Sequence, residues 1–419
     1  MISPVDNWVV EETGLGKDLT PDSLLSWQMD RVREQIRYAR DRGQFYGSLL
    51  AGFDVDSIRS LGDLSRIPFT KAEDLRNQPT SFLCVSQSDV SRVTTLSTSG
   101  SSGERKRVFF TRNDLERTVG FFAYGMSTMV QRGDRVTILM STKAPDGIGD
   151  LLQRGLSRIG VSSTIHGNVK DVSSALDAAA DADCLVGVPA EINYLSRTDR
   201  SLRPKAVLLS GDYVPESIIR NIEASWGAQV YTHYGMTETG FGGGVQCDAR
   251  DGYHLRHPDF LIEIIDPVRG TQAPHGEVGE VVLTTLRNEA MPLIRYRTGD
   301  VARMLEPHCP CGGILPRLDK VLGRMGGVIE PLRWDELAIN RLDETMFSIP
   351  HVRNYRVELA QRWMLSVDSS EKIDEGTLRQ AATSVLGCDL PIEIRFEAVP
   401  PFQGTGKRGI SLLTSSSVS

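Results

Sequence analysis

Apolar positions in the middle of the chain alternate between short runs and helical spacing. Between about residues 92 and 240, the runs RVTILMS (135–141) and KAVLLSG (205–211) predict buried strands. The stretch GIGDLLQRGLSRIG (147–160) predicts a helix, and PESIIRNIEASWG (215–227) predicts another, with Pro at its start and Gly past its end. Strands that alternate with helices indicate a parallel sheet covered on both faces.

The segments before and after this region have other hydrophobic periodicities. Pro21 follows a threonine, a residue type that caps helices, and apolar positions then recur at helical spacing through residues 21–46. Strand-like runs joined by turns fill residues 253–305 and predict a small β unit. After GRMGG (323–327), strand-like runs and a helix near 374–386 predict a compact segment. The predicted fold class is α/β: a large multi-layer part with parallel sheets and a small β unit, followed by a small α+β part.

Composition narrows the class of protein. The chain has 419 residues, of which 40% are hydrophobic, so it can bury a large core in two or three structural units. A net charge of -7 argues against a general nucleic-acid binder, which needs a basic surface. The N-terminus does not read as a secretory signal, and no window reaches the roughly 18 apolar residues of a membrane span. Six cysteines are too few for a disulfide scaffold. We therefore expect a cytoplasmic protein with reduced thiols and no membrane contact.

A stretch rich in Ser and Gly, LSTSGSSGERKRV (96–108), is too poor in apolar side chains to be core. It lies between a predicted strand and a predicted helix, where successive backbone N–H groups can form a nest for an anion. It is not an ordinary P-loop, because Glu104 and Arg105 separate its last Gly from Lys106. On its own, the stretch fits a phosphate cradle and a flexible turn equally well.

Four further stretches favour the phosphate cradle. YGMTETG (234–240) follows a predicted strand, and YRTGD (296–300) has an Asp after a tight turn. GR follows at 323–324, and GTGKRG (404–409) has one Lys between glycines. In this order and at these distances, the stretches resemble the adenylate-forming superfamily of acyl ligases over nearly the whole chain. The helix at 28–50, DGYHLRHPDFLIEIIDP and CPCGGILPRLDKVLGR make the chain most similar to the phenylacetate–coenzyme A ligase branch.

The resemblance implies an activity and a domain plan. Members of this family use ATP to convert a carboxylic acid to an acyl adenylate with release of pyrophosphate, and then pass the acyl group to coenzyme A. A carrier-protein thiol or an amine as acceptor, and a non-catalytic nucleotide-binding relative, remain alternatives. The plan implies an adenylation domain over residues 1–324 and a small, mobile C-terminal lid over residues 325–419. Implied cofactors are ATP, Mg2+ and coenzyme A. The partners are a carboxylic acid, with a carrier protein and a second copy of the chain as further candidates.

The same resemblance implies site residues. Lys407 would span the substrate carboxylate and the α-phosphate, Glu238 would bind Mg2+, and Thr237 would act beside it. Asp300 would bind the ribose hydroxyls and Tyr234 would lie against the adenine. The implied nucleotide-binding residues are Thr98, Ser99, Gly100, Ser101, Ser102, Gly103, Lys106, Gly211, Asp212, Tyr234, Gly235, Met236, Asp300 and Arg324.

The acid pocket should combine flat aromatic walls with glycines that let backbone approach a ligand. The residues expected there are Phe122, Tyr124, Tyr213, Gly240 and Gly242. Such a lining favours an aryl or arylacetic acid, although aromatic residues also simply fill cores.

Three cysteines and one histidine have the composition of a closed tetrahedral zinc site. The four residues are Cys247, His254, Cys309 and Cys311. The C-x-C spacing is tighter than the usual C-x2-C, and His257 or His308 could take the place of the histidine. Some phenylacetate-ligase-like proteins carry the same pattern, so the resemblance implies a structural Zn2+. Ordinary free thiols are the alternative.

Two positions depart from the family pattern. Gly326 stands where relatives usually have the Asp of the hinge between the two half-reactions. Glycine permits rotation, but a hydrogen bond that would hold one state is lost. Arg105 stands where the phosphate loop of relatives usually has Pro or a small residue.

Overall fold

A computed structural model describes residues 3–96, 106–140, 144–325, 336–359, 362–387, 391–402, 408 and 410–412. The α-helices are α1 (Pro4–Thr13), α2 (Pro21–Arg42), α3 (Gln44–Leu49), α4 (Ala72–Asn77), α5 (Arg112–Met126), α6 (Ile148–Arg158), α7 (Val172–Ala179), α8 (Pro189–Thr198), α9 (Glu216–Trp226), α10 (Glu336–Ser348) and α11 (Glu375–Leu386).

The strands, in chain order, are β1 (Arg92–Leu96), β2 (Lys106–Phe110), β3 (Arg135–Leu139), β4 (Ser162–Ile165), β5 (Cys184–Gly187), β6 (Ala206–Leu209), β7 (Gln229–Tyr234), β8 (Gly244–Val245), β9 (Tyr253–Leu255), β10 (Phe260–Ile265), β11 (Gly279–Thr285), β12 (Tyr296–Ala302), β13 (Met304–Leu305), β14 (Arg317–Leu318), β15 (Gly323–Arg324), β16 (Val352–Leu359), β17 (Trp363–Ser369), β18 (Ile392–Phe396) and β19 (Ser411–Leu412).

The chain folds as two compact units, each made of two segments. The first unit contains residues 1–128 and 233–321, and the second contains residues 129–232 and 322–419. The chain therefore passes from the second unit into the first within β7. The predicted domain boundary after residue 324 stays a prediction.

The second unit contains the predicted parallel sheet. Its strands pair in parallel in the order β7-β6-β5-β3-β4, with α6 to α9 as the intervening helices. Helix α9 follows Pro215 and ends at Gly227, whose φ of 69° is one that glycine adopts without strain. The alternation of apolar runs and helical periods thus predicts this part correctly, and the α/β fold class is confirmed.

The C-terminal segment of the second unit is α+β, as expected. Strands β16 and β17 are antiparallel, while β18 pairs in parallel with β17 and β19 pairs in parallel with β16. Core residues of this segment, such as Phe347 and Trp363, belong to the same buried cluster as Leu139 and Ile222 of the parallel-sheet part. One hydrophobic core therefore serves the whole unit. The mobility expected for this segment stays a prediction.

The first unit contains the predicted small β unit. Strands β10, β11 and β12 form consecutive antiparallel pairs, and β8, β9, β14 and β13 form a second antiparallel series. Helix α2 begins at Pro21 as predicted, because Thr20 and Ser23 cap it reciprocally. Among the described residues, no helix has the length and apolar content of a membrane span.

The sequence prediction missed strand β2. The Ser- and Gly-rich stretch was expected to lead directly into a helix, but β2 intervenes and pairs antiparallel with β1 from Leu96–Lys106 to Arg92–Phe110. The side chains of Val108, Phe109 and Phe110 are buried, which favours an extended segment there. Residues 97–105 join these two strands and lie outside the described residues.

A buried ion pair fixes the start of β12. Arg295 donates from Nε and Nη2 to the two carboxylate oxygens of Glu263 at 3.1 and 3.0 Å, and both residues are at most 4% exposed. Its Nη1 also donates to the carbonyl of Ile67 at 2.8 Å, and its guanidinium stacks on Phe69. This arrangement holds the residue that immediately precedes Tyr296.

We predict that Arg295→Ala lowers the free energy of unfolding by about 3–5 kcal/mol, because it leaves the Glu263 carboxylate buried without its partner. Urea unfolding of the purified variant measures this loss. The double variant Arg295→Met/Glu263→Leu should recover most of it, since the uncompensated charge is gone. A double variant no more stable than Arg295→Ala would contradict this explanation.

Candidate active site and metal cluster

Three side chains meet around the carboxylate of Glu238. Lys106 begins β2, Glu238 lies in the 3-10 turn Thr237–Thr239 after β7, and Tyr296 begins β12. The Lys106 ammonium forms an ion pair with Glu238 Oε1, and the Tyr296 hydroxyl donates to the same oxygen at 2.7 Å. Lys106 Nζ also lies 3.2 Å from the Tyr296 hydroxyl. The structure therefore brings the predicted phosphate lysine into contact with the predicted magnesium ligand.

The Glu238 carboxylate is buried, since the residue is only 4% exposed. Burial alone would raise the pKa of Glu238, but the Lys106 ammonium and the Tyr296 hydroxyl outweigh burial and lower the pKa. Glu238 is therefore an ionised carboxylate at neutral pH. Such a group can accept a metal ion or another cation if Lys106 exchanges partners.

A second pair of predicted nucleotide residues is in contact in the same unit. The Tyr234 hydroxyl donates to Asp300 Oδ2 at 3.0 Å, and both residues are less than a tenth exposed. The backbone N–H of Asp300 donates to the Thr298 hydroxyl at 3.0 Å, within the YRTGD motif. Tyr296 and Asp300 are four residues apart on β12, so one strand supplies a residue to each pair.

The turn that carries Glu238 depends on two glycines. A Cβ atom on Gly235 would lie 2.5 Å from the carbonyl oxygen of Phe241, so only glycine fits. Gly240 has a φ of 63°, and a Cβ there would lie 2.8 Å from the Thr118 hydroxyl. The predicted approach of this backbone to a ligand stays a prediction. The predicted nucleotide residue Met236 is buried at the start of this turn.

A buried arginine supports the same turn. Arg256, which is 2% exposed, donates from Nη1 to Thr118 Oγ1 at 3.0 Å and to the carbonyl of Thr239 at 3.3 Å. Asp259 binds the other side of its guanidinium. Thr118 in turn donates to the carbonyl of Gly240 at 3.0 Å. Neither Arg256 nor Tyr296 was among the predicted site residues, although both lie within stretches that carried the family resemblance.

The aromatic residues expected to line the acid pocket differ in their surroundings. Phe122 is buried on α5, and its ring centroid lies 6.2 Å from the ring of His233. A Cβ atom on Gly242 would lie 3.0 Å from Phe122 Cε1, so backbone approaches this ring closely. Tyr124 instead donates its hydroxyl to Glu11 of α1, a hydrogen bond that helps to raise the pKa of Tyr124 to about 12. The pocket roles of Phe122 and Tyr124 stay predictions.

Other predicted residues belong to the second unit. Gly211 has a φ of 94°, and Asp212 follows it on the turn after β6. The Tyr213 hydroxyl donates to Glu344 Oε1 at 3.0 Å. Arg324 is half-buried in the short strand β15. Thr98–Gly103, Arg105, Gly326 and Lys407 lie outside the described residues, so their roles stay predictions.

The four predicted metal ligands form one cluster in the first unit. The ligand atoms of Cys247, His254, Cys309 and Cys311 all lie within 4.8 Å of one another. Cys247 Sγ lies 3.5 Å from Cys309 Sγ, and His254 Nε2 lies 3.5 Å from Cys311 Sγ. Three sulfur atoms and one imidazole nitrogen at this spacing fit a tetrahedral zinc site. The structure thus brings the four predicted residues together, with His254 as the histidine, and their role as metal ligands stays a prediction.

Helix α1 supplies the surroundings of this cluster. Asp6 Oδ1 and the Ser3 hydroxyl lie 2.9 and 3.2 Å from His254 Nδ1, so Nε2 is left for the thiols. Asp6 is 1% exposed, and its Oδ2 has no hydrogen-bond partner among the described residues. A Cβ atom on Gly313 would lie 2.5 Å from that oxygen. A carboxylate behind a histidine is a common second layer of zinc sites, and Asp6 was not predicted.

The sequence of this chain was compared with family models and with the sequences of known proteins. No protein-family model matches the chain. The chain is 28% identical to phenylacetate–coenzyme A ligase of Thermus thermophilus over 387 residues, which cover 88% of this chain and 85% of that protein. It is 28% identical to phenylacetate–coenzyme A ligase of Pseudomonas putida over 376 residues, or 85% of this chain and 84% of that protein.

Solved structures agree with the fold. A crystal structure of 2-hydroxyisobutyryl-CoA ligase in the postadenylation state, in complex with R3-HIB-AMP, matches 94% of this chain and 90% of its own with a TM-score of 0.77 and 21% identity. The protein thus has the fold of an adenylate-forming coenzyme A ligase. The resemblance to the phenylacetate–coenzyme A ligases, stated from the sequence motifs, is confirmed along most of the chain.

We predict that Lys106→Met lowers the free energy of unfolding by about 3 kcal/mol at neutral pH, because Glu238 stays buried without its cation. In the wild type, the lowered pKa of Glu238 gives a stability contribution that is lost as the pH falls through that pKa. In the variant, burial raises the pKa of Glu238, so acidification relieves an unfavourable charge. The destabilisation by Lys106→Met should therefore shrink between pH 7 and about pH 4.

Urea unfolding of both proteins across this pH range measures the difference. Lys71→Met, which removes an exposed lysine of the same unit, serves as the matched control and should show no such trend. A destabilisation by Lys106→Met that stays constant or grows on acidification would refute the ion-pair account.

Proposed function

We propose that this protein is an ATP-dependent carboxylic acid ligase that forms an acyl adenylate and then an acyl thioester with coenzyme A. The observation that carries the proposal is the pair of contacts Lys106–Glu238 and Tyr234–Asp300, made by residues of three motifs that are distant in sequence. The similarity to phenylacetate–coenzyme A ligases over 85% or more of the chain supports the same activity. The predicted cytoplasmic location stays a prediction.

In the first half-reaction, an oxygen of the substrate carboxylate attacks the α-phosphorus of ATP. The bond from that phosphorus to the bridging oxygen breaks, and pyrophosphate leaves with the bonding electrons. Lys407 is proposed to stabilise the negative charge that develops on the carboxylate and α-phosphate oxygens. Lys106 is proposed to leave Glu238 and bind phosphate oxygens when the nucleotide enters.

Glu238 is the residue proposed to hold Mg2+, and its buried, ionised carboxylate oxygen suits a hard cation. When bound, Mg2+ supplies positive charge next to the phosphate oxygens. The Asp300 carboxylate is proposed to accept hydrogen bonds from both ribose hydroxyls. In the second half-reaction, the sulfur of coenzyme A attacks the acyl carbon, AMP leaves, and the thiol proton goes to solvent.

The substrate proposed is an aromatic carboxylic acid. Phe122 and His233 form an edge-to-face ring contact, and the close backbone at Gly242 narrows the space beside them. Burial lowers the pKa of His233 to about 4, so its ring is neutral at pH 7. Two uncharged rings at this position favour an aryl or arylacetic ring over a charged substrate tail.

We predict that the purified protein catalyses exchange of labelled pyrophosphate into ATP when an aromatic acid is present. Lys407→Ala should lower this exchange by at least about 100-fold, because a lost charge-stabilising donor costs on the order of 3 kcal/mol. Lys372→Ala, at an exposed position of the same unit, should keep wild-type exchange. The assay uses a panel of benzoic and arylacetic acids with and without coenzyme A.

Two results would count against this function. If no acid in the panel supports exchange or pyrophosphate release, the ligase proposal fails and a non-catalytic nucleotide-binding role gains support. If exchange is robust but Lys407→Ala retains it, the role given to Lys407 is wrong. Enzyme-dependent acyl transfer to an amine in place of coenzyme A would identify a different acceptor.

The structural cofactor proposed for the four-residue cluster is Zn2+, held by Cys247, His254, Cys309 and Cys311. Three thiolates and one imidazole form a closed ligand set that leaves no position for substrate, so the ion would act in folding and not in the reaction. The second carboxylate oxygen of Asp6 has no other partner among the described residues, which fits a nearby positive charge.

We predict that the purified protein contains stoichiometric zinc and that Cys309→Ser loses it. Asp6→Asn should weaken zinc retention by about 10–100-fold in a chelator titration, because Asp6 orients the ring of His254. Cys84→Ser, at a buried cysteine outside the cluster, and Asp18→Asn, at an exposed carboxylate, are the controls. A protein without zinc whose cluster thiols all react freely with a thiol reagent would rule out the site.

A further inference from the structure

We propose that a cavity in the first unit binds a small, neutral, mainly apolar molecule that carries an O–H or N–H donor. The cavity has a volume of about 290 Å³ and is lined by helix α2, strands β9 and β10 and the turn 272–277. All of its lining residues belong to the first unit, and none is a residue proposed to bind ATP, the acid or zinc. The inference therefore does not depend on the proposed function.

Most of the cavity wall is hydrocarbon. Leu24 of α2, Leu255 of β9, and Leu261 and Ile264 of β10 line it, and each of these residues is less than a tenth exposed. An engineered protein cavity of about 150 Å³ with a similar apolar lining binds benzene. The larger volume here has room for a ring with a short substituent.

The wall also contains a buried histidine whose second nitrogen is unused. His257 is 7% exposed, and its Nε2 lies 3.0 Å from the carbonyl oxygen of Pro316, which lines the cavity as well. Burial lowers the pKa of His257 to about 4, so at pH 7 the neutral ring donates its single N–H to that carbonyl. Nδ1 is then a hydrogen-bond acceptor, and it has no partner among the described residues.

A buried amide gives the cavity a second acceptor. Gln28 is 4% exposed, and its Nε2 donates to the carbonyl of His257 at 2.8 Å and to that of Phe260 at 3.1 Å. These two bonds fix the amide and leave Oε1 without a partner in the part of the chain that the structure describes. A buried acceptor is unfavourable when it is unsatisfied, so a donor on the bound molecule is favoured at this position.

The charges around the cavity oppose an anionic ligand. Its lining contains neither lysine nor arginine, and Asp22 and Glu277 are exposed carboxylates of that lining. The ring of His275 is paired with Glu306 at 2.9 Å. A carboxylate that entered the cavity would lose hydration without gaining a cationic partner. A neutral molecule with a donor therefore fits this cavity better than the acid of the proposed reaction does.

The test uses p-cresol as the probe and protein labelled with 13C at the methionine methyl groups. Met304 lines the cavity, whereas Met236 is buried in the turn that carries Glu238. We expect p-cresol to shift the Met304 methyl resonance saturably, because its ring would lie close to that methyl group, and to leave the Met236 resonance unchanged. Met304→Leu assigns the resonance.

Two variants test the unused acceptors. His257→Phe keeps a ring but removes Nδ1, and Gln28→Met keeps the length of the side chain but removes Oε1. Toluene has no donor, so the ratio of the affinities for p-cresol and toluene isolates the contribution of the hydrogen bond. We expect this ratio to fall by about fivefold in at least one of the two variants.

A third variant closes the cavity from its exposed side. Ala273 is a half-buried residue of the lining, and Ala273→Phe should weaken binding of p-cresol by at least about tenfold because the added ring occupies the space. Val268→Phe is the matched control, since Val268 is 89% exposed and lies outside the lining. p-Cresol should raise the thermal unfolding midpoint of the wild type and of Val268→Phe, but not that of Ala273→Phe.

Several results would overturn the proposal. These are the absence of a saturable shift at Met304, a shift at Met236 alone, and wild-type affinity in Ala273→Phe. An unchanged affinity ratio in both folded acceptor variants would show that the acceptors do not select the ligand. A Met304 resonance that moves with protein concentration and not with p-cresol would mean that a second copy of the chain covers the cavity, and the ligand site would then be wrong.

Discussion

The constraint on which the site depends is the burial of the Glu238 carboxylate. A buried charge is costly unless another charge or a hydrogen bond compensates it, and here Lys106 and Tyr296 do so together. These partners are the first residues of β2 and β12, so the compensation also fixes where two strands begin. The same requirement for a compensating positive charge at Glu238 explains how the site can respond to a nucleotide. A bound cation can replace Lys106 at the carboxylate only if the lysine gains another anion, so metal and phosphate are expected to enter together.

Buried arginines recur as the supports of irregular backbone in this protein. Arg256 donates to the turn that carries Glu238, and Arg295, the residue before Tyr296, is fixed by its pairing with Glu263. Arg408 is paired with Asp343 in the same manner. Each is paired with a buried carboxylate and also donates to a carbonyl of a neighbouring segment. Loops that bind ligands make few apolar contacts, so these fixed donors replace the packing that would otherwise define their shape.

Much of the fold follows from the sequence, because the apolar periods are local. The parallel sheet, the small β unit and the start of α2 at Pro21 could all be predicted from spacing and capping residues. Strand β2 could not, because its extended form depends on pairing with β1 and on burial of three consecutive apolar side chains. Motif order pointed to Glu238 and Asp300, but not to the side chains that hold them. Arg256 and Asp6 act through contacts with residues far along the chain, which local spacing does not reveal.

The contact between Asp6 and His254 joins the first helix of the chain to a cluster whose last ligand is Cys311. During synthesis, α1 leaves the ribosome long before any ligand exists, and the carboxylate of Asp6 stays in water until the imidazole arrives. The cluster is complete only when Cys311 has been made, long after α1. Capture of the proposed ion and the docking of α1 would therefore coincide in folding, because His254 takes part in both.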